Sequence, residues 1–263
     1  MSDLRTIQQQ TWATGDFAMV GETNMLVSEL LCESVGLRAG ERVLDIATGS
    51  GNTAISAARR GCRVTGIDWV PALLDRARER SASERLKIEY QHGDAEAIPF
   101  PDGVFDVVLT TFGAMFAADP MKAASEMLRV CRSGGRIGMA NWVPAGMIGE
   151  MFKINATFAP PPKDVPPPSQ WGIEEHVRQR FGAGVSRLEL IPRQLVFRQY
   201  SPEAWVEFMK KWFGPMIRAH QVAGDRAPEL TAALVDMVRR HNKSGDESLY
   251  APADYVEVIA VKA

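Results

Sequence analysis

Three aspartates and one glycine-rich turn give this sequence the means to hold a small ligand. The turn lies in VLDIATGSGNTAI, Val43 to Ile55. An apolar strand closes with Asp45, and the chain passes through Gly49 and Gly51 into a helix. Glycines there permit a tight reversal and let a ligand approach bare backbone. The helix start adds unpaired N–H donors. About 20 residues beyond the loop, Asp68 ends a second apolar run, the position from which a carboxylate accepts hydrogen bonds from ribose hydroxyls. Trp69, next in the chain, offers an apolar or stacking wall for a base. Asp94, within GDAEAIPFPDGVFDVVLTT (Gly93 to Thr111), ends a third run and is placed to accept from an exocyclic adenine amino group.

Gly49-Ser50-Gly51-Asn52-Thr53-Ala54 also fits the GxGxxA pattern of dinucleotide sites. Asp45 argues against a dinucleotide, because it would face the two negative charges of a pyrophosphate. A ligand portion bearing an ammonium and a sulfonium is favoured instead. Each aspartate also has a purely structural reading: Asp45 as a satisfied strand-end carboxylate, Asp68 as a cap for the helix from Val70, Asp94 as a turn residue before Pro99. All three in register with a glycine loop favour a nucleoside with a positive tail. An NAD(P)-dependent Rossmann oxidoreductase stays as the alternative. The four histidines, His92, His176, His220 and His241, stand isolated and receive no catalytic role. No residue is assigned as catalytic, and no metal site is expected.

These residues need a scaffold, and the hydrophobic pattern supplies one. From Glu41 to about Trp142, strands expected at 42–46, 63–67, 86–90, 104–110 and 136–140 alternate with helical patterns, the signature of a parallel α/β sheet. Asp45, Asp68 and Asp94 then share the sheet edge at which such folds bind ligands. After Trp142 the pattern is less regular, and APPPKDVPPP (Ala159 to Pro168) predicts a stiff loop. Strands return at 186–200 and 255–262 to complete the sheet at one edge, with amphipathic segments at 202–213 and 228–240 as cover.

The motifs resemble class I S-adenosylmethionine-dependent methyltransferases, in the small-molecule branch of methyltransferase type 11/25 that includes ubiquinone/menaquinone-biosynthesis-like enzymes. The likeness is close over Arg42 to Ala140 and looser over Ser201 to Pro215 and Tyr250 to Lys262. It implies a Rossmann-like α/β fold with a seven-stranded, mostly parallel sheet, an antiparallel last strand and a helical lid. It also implies S-adenosyl-L-methionine as cofactor, S-adenosyl-L-homocysteine as product, and a small-molecule acceptor methylated on S, O, N or C. By the same resemblance Asp45, Thr48, Gly49 and Gly51 hold the methionine part, Asp68 and Trp69 the ribose and adenine, and Asp94 with Ala95 the adenine edge. Thr111 approaches the methionine amino group. Two departures stand out: Ala47 replaces the first glycine of the loop, and Met115-Phe116 stands where many relatives carry a histidine pair. A non-catalytic S-adenosylmethionine-binding regulator would keep the same motifs.

One domain over 1–263 is expected: an N-terminal lid at 1–36, a cofactor core at 37–142, acceptor cover at 143–185 and 201–250, and last strands at 186–200 and 253–263. The segments Met1 to Gly36 and Ala145 to Gly184 are expected to order when ligands bind. With 263 residues and a net charge of −2, the chain has no broad positive field for nucleic acid. Its three cysteines form no CxxC pair and read as reduced thiols. No basic head precedes an apolar stretch at the N-terminus, and nowhere do roughly 18 apolar residues run together. The expected location is the cytoplasm, as monomer or homodimer.

Overall fold

The computed structural model describes residues 2–162 and 165–263, with side chains from residue 5 onward. Lys163 and Asp164 of the proline-rich segment lie outside the described residues, as does Met1 of the expected lid. Three helices come first: α1 (Ser2–Ala13), α2 (Phe17–Glu22) and α3 (Met25–Val35). Then follow β1 (Arg42–Ile46), α4 (Asn52–Arg59), β2 (Arg63–Asp68), α5 (Pro71–Ser83), β3 (Ile88–His92), β4 (Phe105–Thr111), α6 (Pro120–Val130) and β5 (Cys131–Trp142). The second half holds α7 (Gly146–Phe158), α8 (Glu174–Phe181), β6 (Val185–Gln199), α9 (Pro202–Trp212), α10 (Gly214–Ala223), α11 (Ala227–His241) and β7 (Leu249–Lys262).

All seven strands join one sheet in the order β3-β2-β1-β4-β5-β7-β6. The first five pair in parallel, and β7 runs antiparallel between β5 and β6. This is the seven-stranded Rossmann-like arrangement that the resemblance implies. Sequence order reverses between β1 and β4, which opens a crevice at their C-terminal ends. Central strands read as continuous apolar runs because both faces are covered: Val43, Leu44, Val107, Val108 and Leu109 are fully buried. Helix α3 packs closely on β5, where a Cβ at Gly138 would lie 2.4 Å from Val35 Cγ2.

The third strand begins two residues later than its apolar pattern suggests. Helix α5 closes in a Schellman arrangement that draws in the next residues: Arg85, with φ +57°, donates to the Ala82 carbonyl, and Leu86 to that of Ser81. Asp94 stands two residues beyond β3 rather than at its end, and Thr111 is the last residue of β4 rather than just after it. Two further helices, α7 and α10, occupy stretches whose glycines and prolines disguise them. Close packing accounts for those glycines. A Cβ at Gly149 would come within 2.4 Å of the Pro144 carbonyl oxygen, and one at Gly214 within 2.0 Å of that of Thr11. Through the latter contact α10 presses on α1. Helices α7, α9, α10 and α11 pack on one another beside the sheet. No helix among the described residues is long and apolar enough to cross a membrane.

Candidate functional site

The turn after β1 passes through Ala47, Gly49 and Gly51, all at positive φ (51°, 55° and 88°). Ala47 thus adopts a left-handed conformation that costs an L-residue roughly 1–2 kcal/mol. The replacement of glycine there is less neutral than its small size suggests. Below the turn, Asp45 Oδ2 accepts from Thr48 Oγ1 at 2.6 Å and from the Ala54 N–H at 3.0 Å. Its carboxylate thereby ties the loop to the first turn of α4, from beneath rather than from the ligand side. Asp45 is 1% exposed, and burial pushes its carboxyl up to about 7, against the opposing hydrogen bonds from Thr48 and Ala54.

That shift has a measurable consequence. An unfolded aspartate titrates near 3.8, so between that pH and about 7 the folded chain keeps a proton that the unfolded chain has lost. The contribution of Asp45 to stability is then fullest below about pH 4 and falls as pH rises through 7. Asp45→Asn, which mimics the protonated form, should gain on the wild type by on the order of 2 kcal/mol between pH 5 and pH 8 in denaturant titrations. A difference independent of pH would refute the assignment.

Asp68 is 5% exposed at the tip of β2. Its Oδ2 accepts from the Gly49 N–H and its Oδ1 from the Val70 N–H, both at 2.9 Å. It joins the glycine loop to the start of α5, and burial raises its pKa against the hydrogen bonds from Val70, Gly49 and Trp69. Asp94 Oδ1 accepts from the Glu96 N–H at 2.9 Å, and its Oδ2 lies 3.1 Å from Arg5 Nη1. Arg5 Nη2 also reaches Glu96 Oε2 at 2.5 Å.

One cavity brings most of these groups together. It encloses about 970 Å³ of empty space, including its open mouth. Thr48, Gly49, Asp68, Trp69, Asp94, Ala95 and Thr111 all line it, whereas Asp45 and Gly51 sit behind the loop. Helix α1 crosses above. Its residues Arg5, Gln9 and Trp12, spaced i, i+4 and i+7, share one face. Arg5 meets Asp94 and Glu96, Gln9 Nε2 donates to the Trp69 carbonyl at 2.6 Å, and Trp12 packs edge-on to Phe116 with ring centroids 4.8 Å apart.

Trp12 and Phe17 of the N-terminal segment also line the cavity. No motif in the sequence signals Ser28 or Thr53. Ser28 Oγ lies 3.1 Å from Thr53 Oγ1, which donates to Thr111 Oγ1 at 2.8 Å, a chain of hydroxyls along the wall. Small polar residues on amphipathic helices look alike whether they face a ligand or a neighbouring helix. Of the pair after β4, Phe116 lines the cavity and Met115 is buried in the core. His92 is exposed and, although paired in register with Asp68, does not line the cavity. Among the described residues of 145–184, none contributes to the wall. No group of three His, Cys, Asp or Glu that could hold a metal occurs among the described residues.

Comparison with known proteins follows the same residues. A family profile described as a methyltransferase domain matches residues 44–139. An uncharacterized protein of Mycobacterium tuberculosis is 36% identical over 248 residues, covering 92% of this chain and 90% of that one. The demethylmenaquinone methyltransferase of Deinococcus radiodurans is 39% identical over 117 residues, covering 43% of this chain and 48% of its own. Among solved structures, a phosphoethanolamine N-methyltransferase 2 of Haemonchus contortus in complex with S-adenosyl-L-methionine superposes with a TM-score of 0.56 at 21% identity. That match covers 89% of this chain and 52% of the other.

Proposed function

The chain belongs to the class I methyltransferases, and from that premise we propose that it transfers a methyl group from S-adenosyl-L-methionine to a nucleophilic atom of a small molecule. One observation carries the reading: the glycine loop, Asp68 and Asp94 converge on a single cavity at the β1/β4 crevice. The donor set fits such a cofactor. Asp68 and Trp69 take the ribose and adenine, Asp94 and Ala95 the adenine edge. Thr48, Gly49 and Thr111 take the methionine part, with Asp45 and Gly51 holding the loop from behind.

When bound, the cofactor supplies a methyl group activated by its sulfonium. The protein's own task is alignment and the exclusion of water. Helix α1 serves the second through Arg5, Gln9 and Trp12, which span the cavity from the Asp94 end to Phe116. The acceptor is a small molecule, because the space beneath α1 is confined and the net charge of −2 gives nucleic acid no attractive field. Residues 1–36 act as the lid, braced from outside the wall by α9 and α10.

Calorimetric titration with S-adenosylmethionine and with NADH tests the cofactor. Binding of the first and not the second is expected; the reverse outcome would restore the oxidoreductase reading. Formation of S-adenosylhomocysteine is then followed with a panel of small thiols, phenols and amines. Cofactor binding with no turnover across the panel would favour a regulatory binding protein.

A further inference from the structure

Two arginines one turn apart on α5 reach the two ends of α2. At its start, Arg76 Nη2 lies 3.5 Å from Asp16 Oδ2, and Asp16 caps the helix by accepting from the Ala18 N–H at 3.1 Å. Arg76 is half exposed and shared with Glu79, so this pair contributes little. The far end is held through an intermediary. Half-buried Arg80 places Nη1 2.7 Å from the Ser50 carbonyl oxygen and 2.7 Å from Asn52 Oδ1, while Asn52 Nδ2 donates to the Gly21 carbonyl, also at 2.7 Å. A guanidinium offers only donors and a carbonyl only accepts, so the Asn52 amide has a single orientation. Among the described residues this is the one hydrogen bond that joins α2 to the glycine loop. The approach is close, since a Cβ at Gly21 would lie 3.0 Å from Ser50 Oγ. Gly21, Ser50 and Asn52 line the cavity, and Arg80 stands behind them, outside its wall.

Resting on the cofactor reading above, we propose that Arg80 is a positioning residue for cofactor capture, which acts through Asn52 to couple α2 to the glycine loop. Arg80 fixes the loop at Ser50 and, by the same nitrogen, aims the Asn52 amide at Gly21. The loop that a bound cofactor holds in place is therefore the loop that docks this part of the lid. Coupling of this kind is reciprocal: whatever factor the cofactor adds to the docking of α2, docked α2 adds to the affinity for the cofactor.

Asn52→Asp separates this coupling from simple support of the loop. A carboxylate at position 52 keeps the contact with Arg80 and suits the first turn of α4, but it turns an acceptor instead of a donor toward the Gly21 carbonyl. The full chain is followed by hydrogen exchange over residues 17–24, by calorimetric titration with S-adenosylhomocysteine and by thermal unfolding. For Asn52→Asp we expect a Tm no lower than that of the wild type, exchange over 17–24 about tenfold faster in the ligand-free chain, and binding about tenfold weaker, the scale of one hydrogen bond. Arg80→Met should show the same two losses, and in an Asn52→Ala background it should cost far less affinity than in the wild type. Wild-type exchange over 17–24 in Asn52→Asp, whether or not affinity falls, overturns the coupling. So does an undiminished loss from Arg80→Met in the Asn52→Ala background, a comparison that decides on its own if Asn52→Asp melts early. Each of these results leaves the cofactor reading intact, whereas a wild-type chain that binds no S-adenosylhomocysteine overturns both.

Discussion

Asp68→Ala is expected to lower the affinity for S-adenosylmethionine by about 100-fold. On the proposed assignment the carboxylate makes charge-assisted hydrogen bonds to ribose hydroxyls, each worth roughly 1.5–3 kcal/mol. It also accepts from the Gly49 and Val70 N–H groups, so its removal unties the glycine loop from the start of α5. Together about 3 kcal/mol of binding is at stake, which corresponds to roughly two decades in Kd. Asp68→Asn retains an oxygen for one of the two backbone donors and should fall between alanine and the wild type. Thermal unfolding of the ligand-free variants separates the two roles, since a loop defect lowers Tm and a lost ribose contact does not. Unchanged calorimetric binding by Asp68→Ala would remove Asp68 from the cofactor site.

Gly51→Ala should be the more damaging of two matched glycine substitutions. Gly51 adopts φ +88°, and a Cβ there would lie 2.8 Å from Tyr90 Oη and 3.1 Å from Ala77 Cβ. Backbone strain of about 1–2 kcal/mol then adds to overpacking of about 1–3 kcal/mol. The expected loss is roughly 2–5 kcal/mol, or a fall in Tm of roughly 5–20 °C. Gly49→Ala is the control: its φ is +55°, but the added Cβ would meet only the Phe17 ring at an ordinary 3.6 Å. It should show the strain alone. Equal melting of the two variants would mean that Tyr90 and Ala77 yield without resistance.

The parallel half of the sheet was legible because burial on both faces demands unbroken apolar runs. RVLDI and RVTGI stand out for that reason, and β1 occupies the expected residues. Local chemistry hid the rest. The start of β3 moved because Arg85 enters the left-handed region without being glycine, which no sequence rule anticipates. Glycines in α7 and prolines near α10 look like breakers until their neighbours are known.

For the site, residue type located the cavity and left the side of approach open. Asp68, Asp94 and Thr111 face the cavity, whereas Asp45 serves the loop from below through Thr48 and Ala54. A strand-end aspartate reads the same in either orientation. The hydroxyls of Ser28 and Thr53 meet only when α3 and α4 pack together, and that encounter is written in no short motif.

Helix α1 touches the cavity rim at two places with one face, Arg5 at Asp94 and Trp12 at Phe116. A rigid rod gripped at two points opens at both or at neither. On the proposed assignment this imposes a kinetic order on the enzyme: the two substrates become committed in a single closure, and the two products share one exit. Every turnover would then pass through the unlatching of a twelve-residue helix.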